Sequence, residues 1–420
     1  MSRAAWGTEL WRALARRGFA AIRAGQLTIV DDDGRMTFGG DGRPDLSATV
    51  VVASPAAYRR FVLGGSSGGA ESYLRGEWTT DDLPALLRLL AANVESLGAA
   101  DGGLARLSAL GARLMHRLRR NTRRGSRRNI RDHYDLGNEL FALFLDETMT
   151  YSCGLFERPE ATLAEASTAK LDLVCRKLGL EAGHHVLEVG GGWGSFAIHA
   201  ARHYGCRVTT TTVSAAQLAA ARARVAAAGV AERVTVLQQD YRDLAGTFDR
   251  LVSIEMIEAV GARYLPRYFA ACAERLAPGG LMLLQGIVLP EYRYRPYLRS
   301  VDFIQRYVFP GGALTSLGAI AAAMARTDLS VLHVEDLSPH YVRTLKLWRE
   351  AFQARHAEAR RLGCDDRFLR LWEFYLAYCE AGFAEHCTGV VQMLLARPAR
   401  GHASAWRDVA THVARRPASA

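Results

Sequence analysis

The amino-acid sequence predicts an α/β protein whose larger domain contains a doubly wound sheet. Short apolar strands alternate with helices from about residue 132 onward, as in sheets that helices cover on both faces. One of these strands, at 186–189, runs into the glycines at 190–192 and then into an alanine-rich helix. Glycines permit a sharp turn that brings backbone N–H groups close to a ligand, so this segment predicts a nucleotide-like cofactor.

Each element of this domain is expected from its own pattern of apolar residues. The strands are expected at 186–189, 207–213, 233–237, 249–254, 281–288 and near 331–335. The helices are expected at 162–179, 195–203, 214–228, 264–276, 316–326, 341–361 and 366–383. A helical insertion at 291–326 interrupts the alternation, and insertions of this kind usually form a substrate pocket or a lid.

The first part of the chain, residues 1–112, is predicted to be a smaller α+β domain. It contains a hairpin at 27–40 with Asp-Asp-Gly at its turn, a strand at 46–54 and an amphipathic helix at 83–97. An N-terminal helix carries apolar residues on one side, namely Trp6, Leu10, Trp11 and Leu14. We expect this side to pack onto its own domain, and membrane contact is the alternative.

The charge distribution predicts a basic linker at 113–131, followed by the sheet domain at 132–420. The chain has a net charge of +10, and the linker holds a dense arginine run without one acid. A solvated segment between domains and a site for anionic lipid head groups are both compatible with this run. Nucleic acid is not an expected partner, because no nucleic-acid-binding module and no interleaved aromatic residues accompany the arginines.

Composition excludes several classes of protein. The seven cysteines are scattered without a C-x-x-C pair, which predicts no metal site and free thiols in a reducing, cytoplasmic compartment. No apolar run reaches the roughly 20 residues that are needed to cross a bilayer. The N-terminus lacks the uninterrupted apolar core and the cleavage site of a signal peptide.

The residues around the glycine turn favour S-adenosylmethionine over a dinucleotide. A dinucleotide fingerprint has a third glycine and an acid about 20 residues later, whereas Ser195 takes the third glycine position here. The next strand ends at Thr211 and Thr212 without an acid, and the acid is instead Glu188 in the first strand. Glu188 is therefore expected near the methionine or ribose end of the cofactor. A dinucleotide site and a purely structural turn are the alternatives.

Two further loops hold candidate cofactor contacts. Thr212 and Gln217 could bind ribose hydroxyls, although capping of the helix that begins after Ser214 is an equally good explanation for Gln217. Asp240 and Tyr241 follow the third strand, where a carboxylate can accept the adenine amine. An ordinary turn aspartate is the alternative for Asp240.

Two acids lie in an apolar loop after the fourth strand. Glu255 and Glu258 stand among Ile254, Met256, Ile257 and Val260. Carboxylates in such surroundings are costly to desolvate without partners, so at least one of them is expected to have a function.

Several motifs occur together and in order, namely HYDLGNELFALFLDETMTYSCGLF, LEVGGGWGSFA, TVSAAQ, QDYRD, SIEMIEAVG and DFIQRYVFPGG. In this combination the chain resembles the cyclopropane-fatty-acyl-phospholipid synthases and their mycolic-acid-modifying relatives, over 128–396 and less distinctly over 28–95. The resemblance implies a Rossmann-like methyltransferase domain with a helical lid. It also implies S-adenosylmethionine as cofactor and an unsaturated phospholipid acyl chain, reached from the inner face of the membrane, as substrate. A homodimer through the N-terminal region is compatible with it.

The same resemblance implies roles for individual residues. The double bond would attack the sulfonium methyl group, and ring closure would then need a base, which in this family is thought to be bound bicarbonate. The bicarbonate site corresponds to Cys153, Glu258, Gln285, the backbone of Ile287, and Tyr341. The cofactor contacts correspond to Tyr151, Ser152, Gly190, Gly192, Thr212, Gln217 and Asp240.

One departure from the family pattern affects the expected product. Gln285 stands where well-known members have a histidine, and a neutral amide contributes less than the roughly 1.5–3 kcal/mol of a charge-assisted hydrogen bond. We expect activity and ring closure to persist, and weaker holding of bicarbonate could instead lead to a methylene- or methyl-branched chain. A non-catalytic lipid-binding protein is the rival function, which the intact Cys153, Glu258 and Tyr341 disfavour.

Overall fold

The computed structural model describes residues 3–40, 43–100 and 137–399, so the predicted linker at 113–131 lies outside the described residues. The chain divides into two compact units, each built from separate stretches. The N-terminal unit comprises Met1–Arg119, Arg295–Pro310 and Leu345–Thr388, and the sheet unit comprises Arg120–Tyr294, Gly311–Thr344 and Gly389–Ala420. Within the described ranges, no helix is long and apolar enough to cross a membrane.

This division differs from the predicted contiguous domain at 132–420, and helix Asp366–Ala384 shows why. The helix packs against helices Leu83–Ala92 and Ala56–Leu74 of the N-terminal unit. Its Phe374 ring lies 5.5 Å from the ring of Tyr73 and 4.7 Å from the ring of Phe303. Aromatic packing of this kind joins Tyr73 to Phe374, which are 301 residues apart in sequence, so the compact unit cannot follow chain order.

The N-terminal unit contains the predicted hairpin and the predicted strand. Its four strands are β1 (Gln26–Asp31), β2 (Gly34–Gly39), β3 (Ser47–Val52) and β4 (Trp78–Thr80), in the order β2-β1-β3-β4. The hairpin joins β1 and β2 in antiparallel register, and β3 lies parallel to β1. Three consecutive acids lie at the end of β1 and in the turn.

Helix Arg3–Phe19 packs with a different side from the one that its apolar residues predict. Arg12 is buried and forms ion pairs with Asp31, Asp32 and Asp33 of the hairpin. Leu10 and Leu14 remain 56% and 36% exposed. The side of the helix that carries Arg12 therefore faces the acidic hairpin, because a buried cation needs carboxylate partners. As a result, part of the apolar side of the helix remains exposed.

The predicted helix at 83–97 is interrupted at Asn93, giving helices Leu83–Ala92 and Val94–Ala100. The buried Asn93 amide accepts from the backbone N–H groups of Arg23 and Ala24 and donates to the carbonyls of Ala24 and Leu89. The interruption therefore satisfies four backbone groups that would otherwise be unpaired.

The sheet unit contains a seven-stranded sheet that confirms the doubly wound α/β prediction. Its strands are β5 (His185–Val189), β6 (Arg207–Thr212), β7 (Val234–Gln238), β8 (Phe248–Ile254), β9 (Leu276–Val288), β10 (Ser330–Asp336) and β11 (Gly389–Ala396). The order is β10-β11-β9-β8-β5-β6-β7, with β5 to β9 parallel and β11 antiparallel to both of its neighbours. The six predicted strands all occur, and β11 was not predicted.

Helices cover both faces of this sheet around two apolar clusters. From residue 137 onward, the helices of both units are, in chain order, Asn138–Ala142, Leu163–Lys177, Ser195–His203, Ala215–Ala227, Leu265–Arg275, Glu291–Tyr297, Phe303–Tyr307, Leu317–Met324, Ser338–Ala354, His356–Arg361 and Asp366–Ala384. The predicted helix at 341–361 is thus two helices, because Arg355 leaves helical geometry. The predicted insertion at 291–326 forms three short helices, of which Phe303–Tyr307 belongs to the N-terminal unit.

The direction of the strands decides where functional residues meet. Because β5, β6, β7 and β8 are parallel, the segments after them emerge at one edge of the sheet. The chain runs from β5 outward to β7 and returns to β8 on the other side of β5, so the strand order reverses there. Open α/β sheets bind ligands at such a reversal.

Candidate active site

Close contacts leave no room for a side chain at two positions of the glycine turn. Gly190 has a φ of 87°, and a Cβ there would lie 2.6 Å from Cγ of Met256. A Cβ on Gly191 would lie 1.8 Å from Oγ1 of Thr210 and 2.7 Å from Oε2 of Glu188. The turn therefore passes directly against the acid of β5 and the loop after β8, as glycine alone permits.

Glu188 lies at the end of β5 beneath this turn. Its side chain is buried, and Oε2 meets no hydrogen-bond donor among the described residues. Burial raises the pKa of Glu188 to about 7. A buried carboxyl group that has Thr210 as a neighbouring donor and lies beside a glycine turn is suited to the hydroxyl or ammonium donors of a small polar ligand.

Thr212 and Gln217 lie together after β6. The Thr212 hydroxyl donates to Oε1 of Gln217 over 2.8 Å, and both residues are buried. Ser214 caps helix Ala215–Ala227 by accepting from the N–H of Gln217. Helix capping therefore accounts for Ser214, while the Thr212 and Gln217 side chains bind each other at the same edge as Glu188.

Asp240 and Tyr241 follow β7. Arg242 donates to both carboxylate oxygens of the buried Asp240, over 2.7 and 2.5 Å. The half-buried Tyr241 ring lies edge-on to Tyr268 at 5.4 Å. Arg242 was not among the predicted residues, and it supplies the counter-charge that a buried aspartate requires.

Aromatic residues line the segment before the sheet. Tyr151 packs edge-on against Phe141 at 5.2 Å and against Phe144 at 6.0 Å. Trp193, which follows the glycine turn, lies 5.1 Å from Phe141 and donates its indole N–H to Asn138. These contacts hold Tyr151 in a fixed aromatic cluster that includes the residue next to the turn.

Lys170 is a buried cation that sequence analysis missed. It lies on the buried side of helix Leu163–Lys177, and its Nζ donates to Oγ of Ser152 over 2.9 Å. Burial lowers the pKa of Lys170, while the nearby Glu255, Cys153 and Glu188 oppose that shift. The sequence did contain a signal for this buried cation: a lysine on the side of an amphipathic helix where most neighbouring residues are small or apolar.

Glu255 lies immediately after β8 and is held by three donors. Oε1 accepts from the backbone N–H of Cys153 over 2.9 Å and from the Gln285 amide over 2.7 Å. Oε2 accepts from the hydroxyl of Tyr341. Burial raises the pKa of Glu255, and these three donors oppose the rise.

Glu258 lies three residues further on, in a different environment. Its Oε1 accepts from the backbone N–H of Ile287 over 2.6 Å, and its buried Oε2 meets no donor among the described residues. Burial, and then the charge of Glu255, raise the pKa of Glu258 to about 8. The pair therefore consists of one carboxyl group that three protein donors hold, Glu255, and one with a pKa of about 8, Glu258.

A family model described as mycolic acid cyclopropane synthetase matches residues 121–393. The chain belongs to this family. Tuberculostearic acid methyltransferase UfaA1 of Mycobacterium tuberculosis is 41% identical over 379 residues, which cover 88% of each chain. Cyclopropane-fatty-acyl-phospholipid synthase of Escherichia coli is 34% identical over 353 residues, which cover 83% of this chain and 88% of the synthase.

A solved structure from the same family is similar to this chain. Mycolic acid cyclopropane synthase CmaA1, complexed with SAH and CTAB, has a TM-score of 0.60 and 33% identity. The match covers 64% of this chain and 98% of that synthase. The chain is accordingly an S-adenosylmethionine-dependent C-methyltransferase with the Rossmann-like fold.

The residues at the sheet edge fit S-adenosylmethionine. Glu188 offers a buried acceptor, and the turn at Gly190 and Gly191 is bare of side chains where a ligand would approach. When bound, the cofactor supplies an electrophilic methyl group. The individual contacts predicted for Tyr151, Ser152, Gly192, Thr212, Gln217, Asp240 and Tyr241 remain predictions, although all seven lie in the sheet unit.

The residues predicted to hold bicarbonate do not fit it. The structure brings Cys153, Glu258, Gln285, Ile287 and Tyr341 together, as predicted, but protein carboxylates already occupy their donors. The thiol of Cys153 donates to backbone carbonyls instead. Glu255 was recognised in the sequence as a buried acid, but its place among these donors was missed.

Proposed function

We propose that this family member transfers the methyl group of S-adenosylmethionine to the double bond of an unsaturated phospholipid acyl chain. The observation that carries the proposal is the Glu255 carboxyl group, buried and held by three donors at the sheet edge where the glycine turn lies. Methylation of an alkene creates a carbocation, which needs a nearby anion, a proton acceptor and protection from water. The relatives named as a fatty-acyl-phospholipid synthase and as mycolic acid synthases support an acyl substrate.

In the proposed reaction, the π electrons of the acyl double bond form a bond to the methyl carbon. The carbon–sulfur bond breaks, its electron pair stays on sulfur, and S-adenosylhomocysteine is released. The remaining alkene carbon carries the positive charge. The protein orients the two reactants through Glu188 and the glycine turn, and the buried carboxyl groups after β8 face the developing charge.

The proton that leaves the cation decides the product. We propose loss of a proton from the new methyl group, which closes a cyclopropane ring. Loss of a proton elsewhere would give a methylene- or methyl-branched chain, and the 41% identity to a protein named as a tuberculostearic acid methyltransferase makes this the second candidate. The assembled polar groups argue against a protein that only binds lipid, because an apolar lining would hold an acyl chain without the cost of desolvating carboxyl groups.

We further propose that the enzyme acts at the cytoplasmic surface of the membrane as a peripheral protein. Leu10 and Leu14 lie exposed on helix Arg3–Phe19, next to the exposed cation Arg17. A partly uncovered apolar helix side flanked by basic residues is suited to an anionic lipid surface. The arginine run at 113–131 would add attraction to anionic head groups.

The test is to incubate the purified protein with S-adenosylmethionine and vesicles of a monounsaturated phospholipid, and to analyse the fatty acids. We expect a gain of one CH₂ unit by mass spectrometry and stoichiometric S-adenosylhomocysteine. Ring protons in the NMR spectrum identify the cyclopropane product, and vinylidene protons identify the methylene branch. Unchanged acyl chains, with S-adenosylhomocysteine binding intact, would contradict the proposed substrate.

A further inference from the structure

We propose that the carboxylate of Glu255 is the base that removes the proton from the carbocation, in place of a bound bicarbonate. This inference rests on the proposed methylation of an acyl double bond. It concerns the one step for which the motif resemblance implied an external group, and it assigns that step to a side chain of this protein.

The hydrogen bonds of Glu255 show that its carboxyl group occupies the donors that were predicted to hold bicarbonate. The donors expected to hold bicarbonate include Tyr341 and Gln285, and both donate to Glu255. A third donor comes from the backbone of Cys153. A carboxylate and bicarbonate share a planar O–C–O group, so one set of donors can hold either but cannot hold both.

A buried chain of hydrogen bonds fixes the Gln285 amide so that it donates. The side-chain ammonium group of Lys177 can only donate hydrogen bonds. The Gln392 atom that it contacts at 2.7 Å must therefore be the carbonyl oxygen. The amide nitrogen of Gln392 then donates to the carbonyl of Gln285 over 2.9 Å. The amide nitrogen of Gln285 is left to donate to Glu255. The glutamine that replaces the family's histidine is therefore a dedicated donor to a protein carboxylate.

The backbone at Glu255 supports a functional role. Its φ is 48°, in the left-handed region that glycine favours, and its N–H donates to the carbonyl of Gln285 over 2.8 Å. A non-glycine residue in this conformation costs free energy and is often found at active sites. The conformation directs the carboxyl group back among the three donors.

The surroundings stabilise the charge of Glu255 better than that of its neighbour Glu258, because Glu255 has three hydrogen-bond donors. Four titratable groups face Glu255, namely Lys170, Cys153, Tyr341 and Glu258. Glu258 has one donor and a pKa near 8, so it remains protonated near neutral pH. Burial raises the pKa of the Cys153 thiol well above its usual value, which keeps the thiol neutral. With its three donors, Glu255 is thus the better placed of the two carboxyl groups to accept a proton and to stabilise the cation.

The step balances without a further reactant. One oxygen of the Glu255 carboxylate takes a proton from the new methyl group, and the C–H electron pair forms the bond that closes the ring. If the proton comes from another carbon next to the cation, the same electron pair forms a double bond. Glu255 becomes a neutral acid and returns its proton to solvent before the next turnover.

The first experiment measures methylation by the wild-type enzyme in buffer sparged free of carbon dioxide, with and without added bicarbonate. We expect rates that agree within a factor of two, because the base is part of the chain. A wild-type rate that falls at least tenfold on depletion and returns with bicarbonate would overturn the inference. A wild-type enzyme that methylates no unsaturated lipid under either condition would instead count against the proposed function.

The second experiment compares Glu255→Gln with Glu255→Gly. Both are expected to lose activity by roughly 100-fold or more, the usual range for a general base. Glycine tolerates the positive φ and frees the three donors, so bicarbonate or formate is expected to restore activity to Glu255→Gly. Glu255→Gln keeps the position filled and is not expected to respond.

The matched control is Glu274→Gln, the same change at an exposed carboxylate of the sheet unit. S-Adenosylhomocysteine binding by each variant shows that the fold is intact. Near-wild-type activity of Glu255→Gln would overturn the inference. So would a Glu255→Gly variant that binds S-adenosylhomocysteine and stays inactive in saturating bicarbonate.

Discussion

Glu188 is a buried carboxyl group whose protonation is coupled to its function. Its pKa of about 7 arises from burial, and a hydrogen bond from the Thr210 side chain and the charge of Lys170 oppose the rise. A neutral acid accepts hydrogen bonds from cofactor hydroxyl or ammonium groups less strongly than a carboxylate does. The cofactor should therefore bind best to the ionised form.

We predict that the dissociation constant of S-adenosylhomocysteine increases as the pH falls below about 7, because binding must then displace a proton from Glu188. Titration calorimetry between about pH 5.5 and 8 measures this. Glu188→Gln should bind more weakly and lose most of the pH dependence, whereas Glu274→Gln should behave as wild type. A wild-type dissociation constant that is constant across this range would contradict the assignment.

Glu258 has a predictable effect on stability. Its pKa is about 8 in the folded chain and 4.5 for an ordinary exposed glutamate, so the folded chain binds the extra proton between these values. The free energy of unfolding contributed by Glu258 therefore falls as the pH rises from about 4.5 to 8, by at most about 1.4 kcal/mol per pH unit.

Glu258→Gln cannot titrate, so it removes the fall in the free energy of unfolding that Glu258 causes. The stability of the variant relative to wild type should therefore increase from about pH 5 to pH 8. Urea unfolding at three pH values, followed by tryptophan fluorescence, measures the difference. Parallel curves for the two proteins would show that Glu258 is not the group responsible. Activity should fall less than in Glu255→Gln, because an amide resembles the neutral acid.

At the scale of elements, Asn93 illustrates how one buried amide ends a helix. The periodicity of 83–97 predicts one continuous helix, and nothing local marks Asn93 as a break. The break exists because Arg23 and Ala24, about 70 residues earlier, present backbone groups that the amide satisfies.

We predict that Asn93→Ala destabilises the protein by about 3 kcal/mol, since it leaves several buried backbone groups without partners. Ser96→Ala is the control, because it removes a single hydrogen bond to a nearby carbonyl and should cost under about 1 kcal/mol. Thermal or urea denaturation measures both. Equal effects of the two substitutions would show that the Asn93 bonds are not important for stability.

Strand β11 shows why an element can be missed from sequence. Its apolar run at 389–396 is short and follows the long helix at 366–384, so periodicity alone does not separate a strand from a buried helix segment. Its polar residue, Gln392, becomes interpretable only between β9 and β10, where it joins Lys177 to Gln285. The strand thereby supplies part of the support for the site.

At the scale of the whole molecule, the net charge of +10 and the arginine run at 113–131 concern the proposed membrane surface. Basic residues near an anionic surface contribute about 1 kcal/mol each, and salt screens this attraction over about 8–10 Å. The proposed peripheral binding should accordingly depend on lipid charge and ionic strength.

We predict that co-sedimentation with anionic vesicles weakens as salt increases and is weaker still with neutral vesicles. Replacing Arg123, Arg124, Arg127 and Arg128 with glutamine should reduce the binding at least tenfold. The control changes four exposed arginines elsewhere, Arg59, Arg207, Arg326 and Arg361, and so matches the change in net charge. Equal losses in both variants would assign the effect to net charge rather than to the run.

The sequence by itself determined the fold class and six of the seven strands of the large sheet, and it predicted most of the candidate site residues. These features depend on local information: strand and helix periodicity, and a glycine turn with an adjacent acid. The motif resemblance added Cys153, Tyr341 and Gln285, which lie in a loop, a helix and a strand that are far apart in the sequence.

The tertiary structure alone decided what those residues do to one another. Glu255 meets the donors of Cys153, Gln285 and Tyr341 only because β8 lies beside β9 and because its backbone adopts a positive φ. The Lys170 cation and the discontinuous N-terminal unit likewise depend on which segments pack together. Contacts between residues that are 30 to 301 positions apart are set by the geometry of the packed sheet and helices, and no local pattern encodes them.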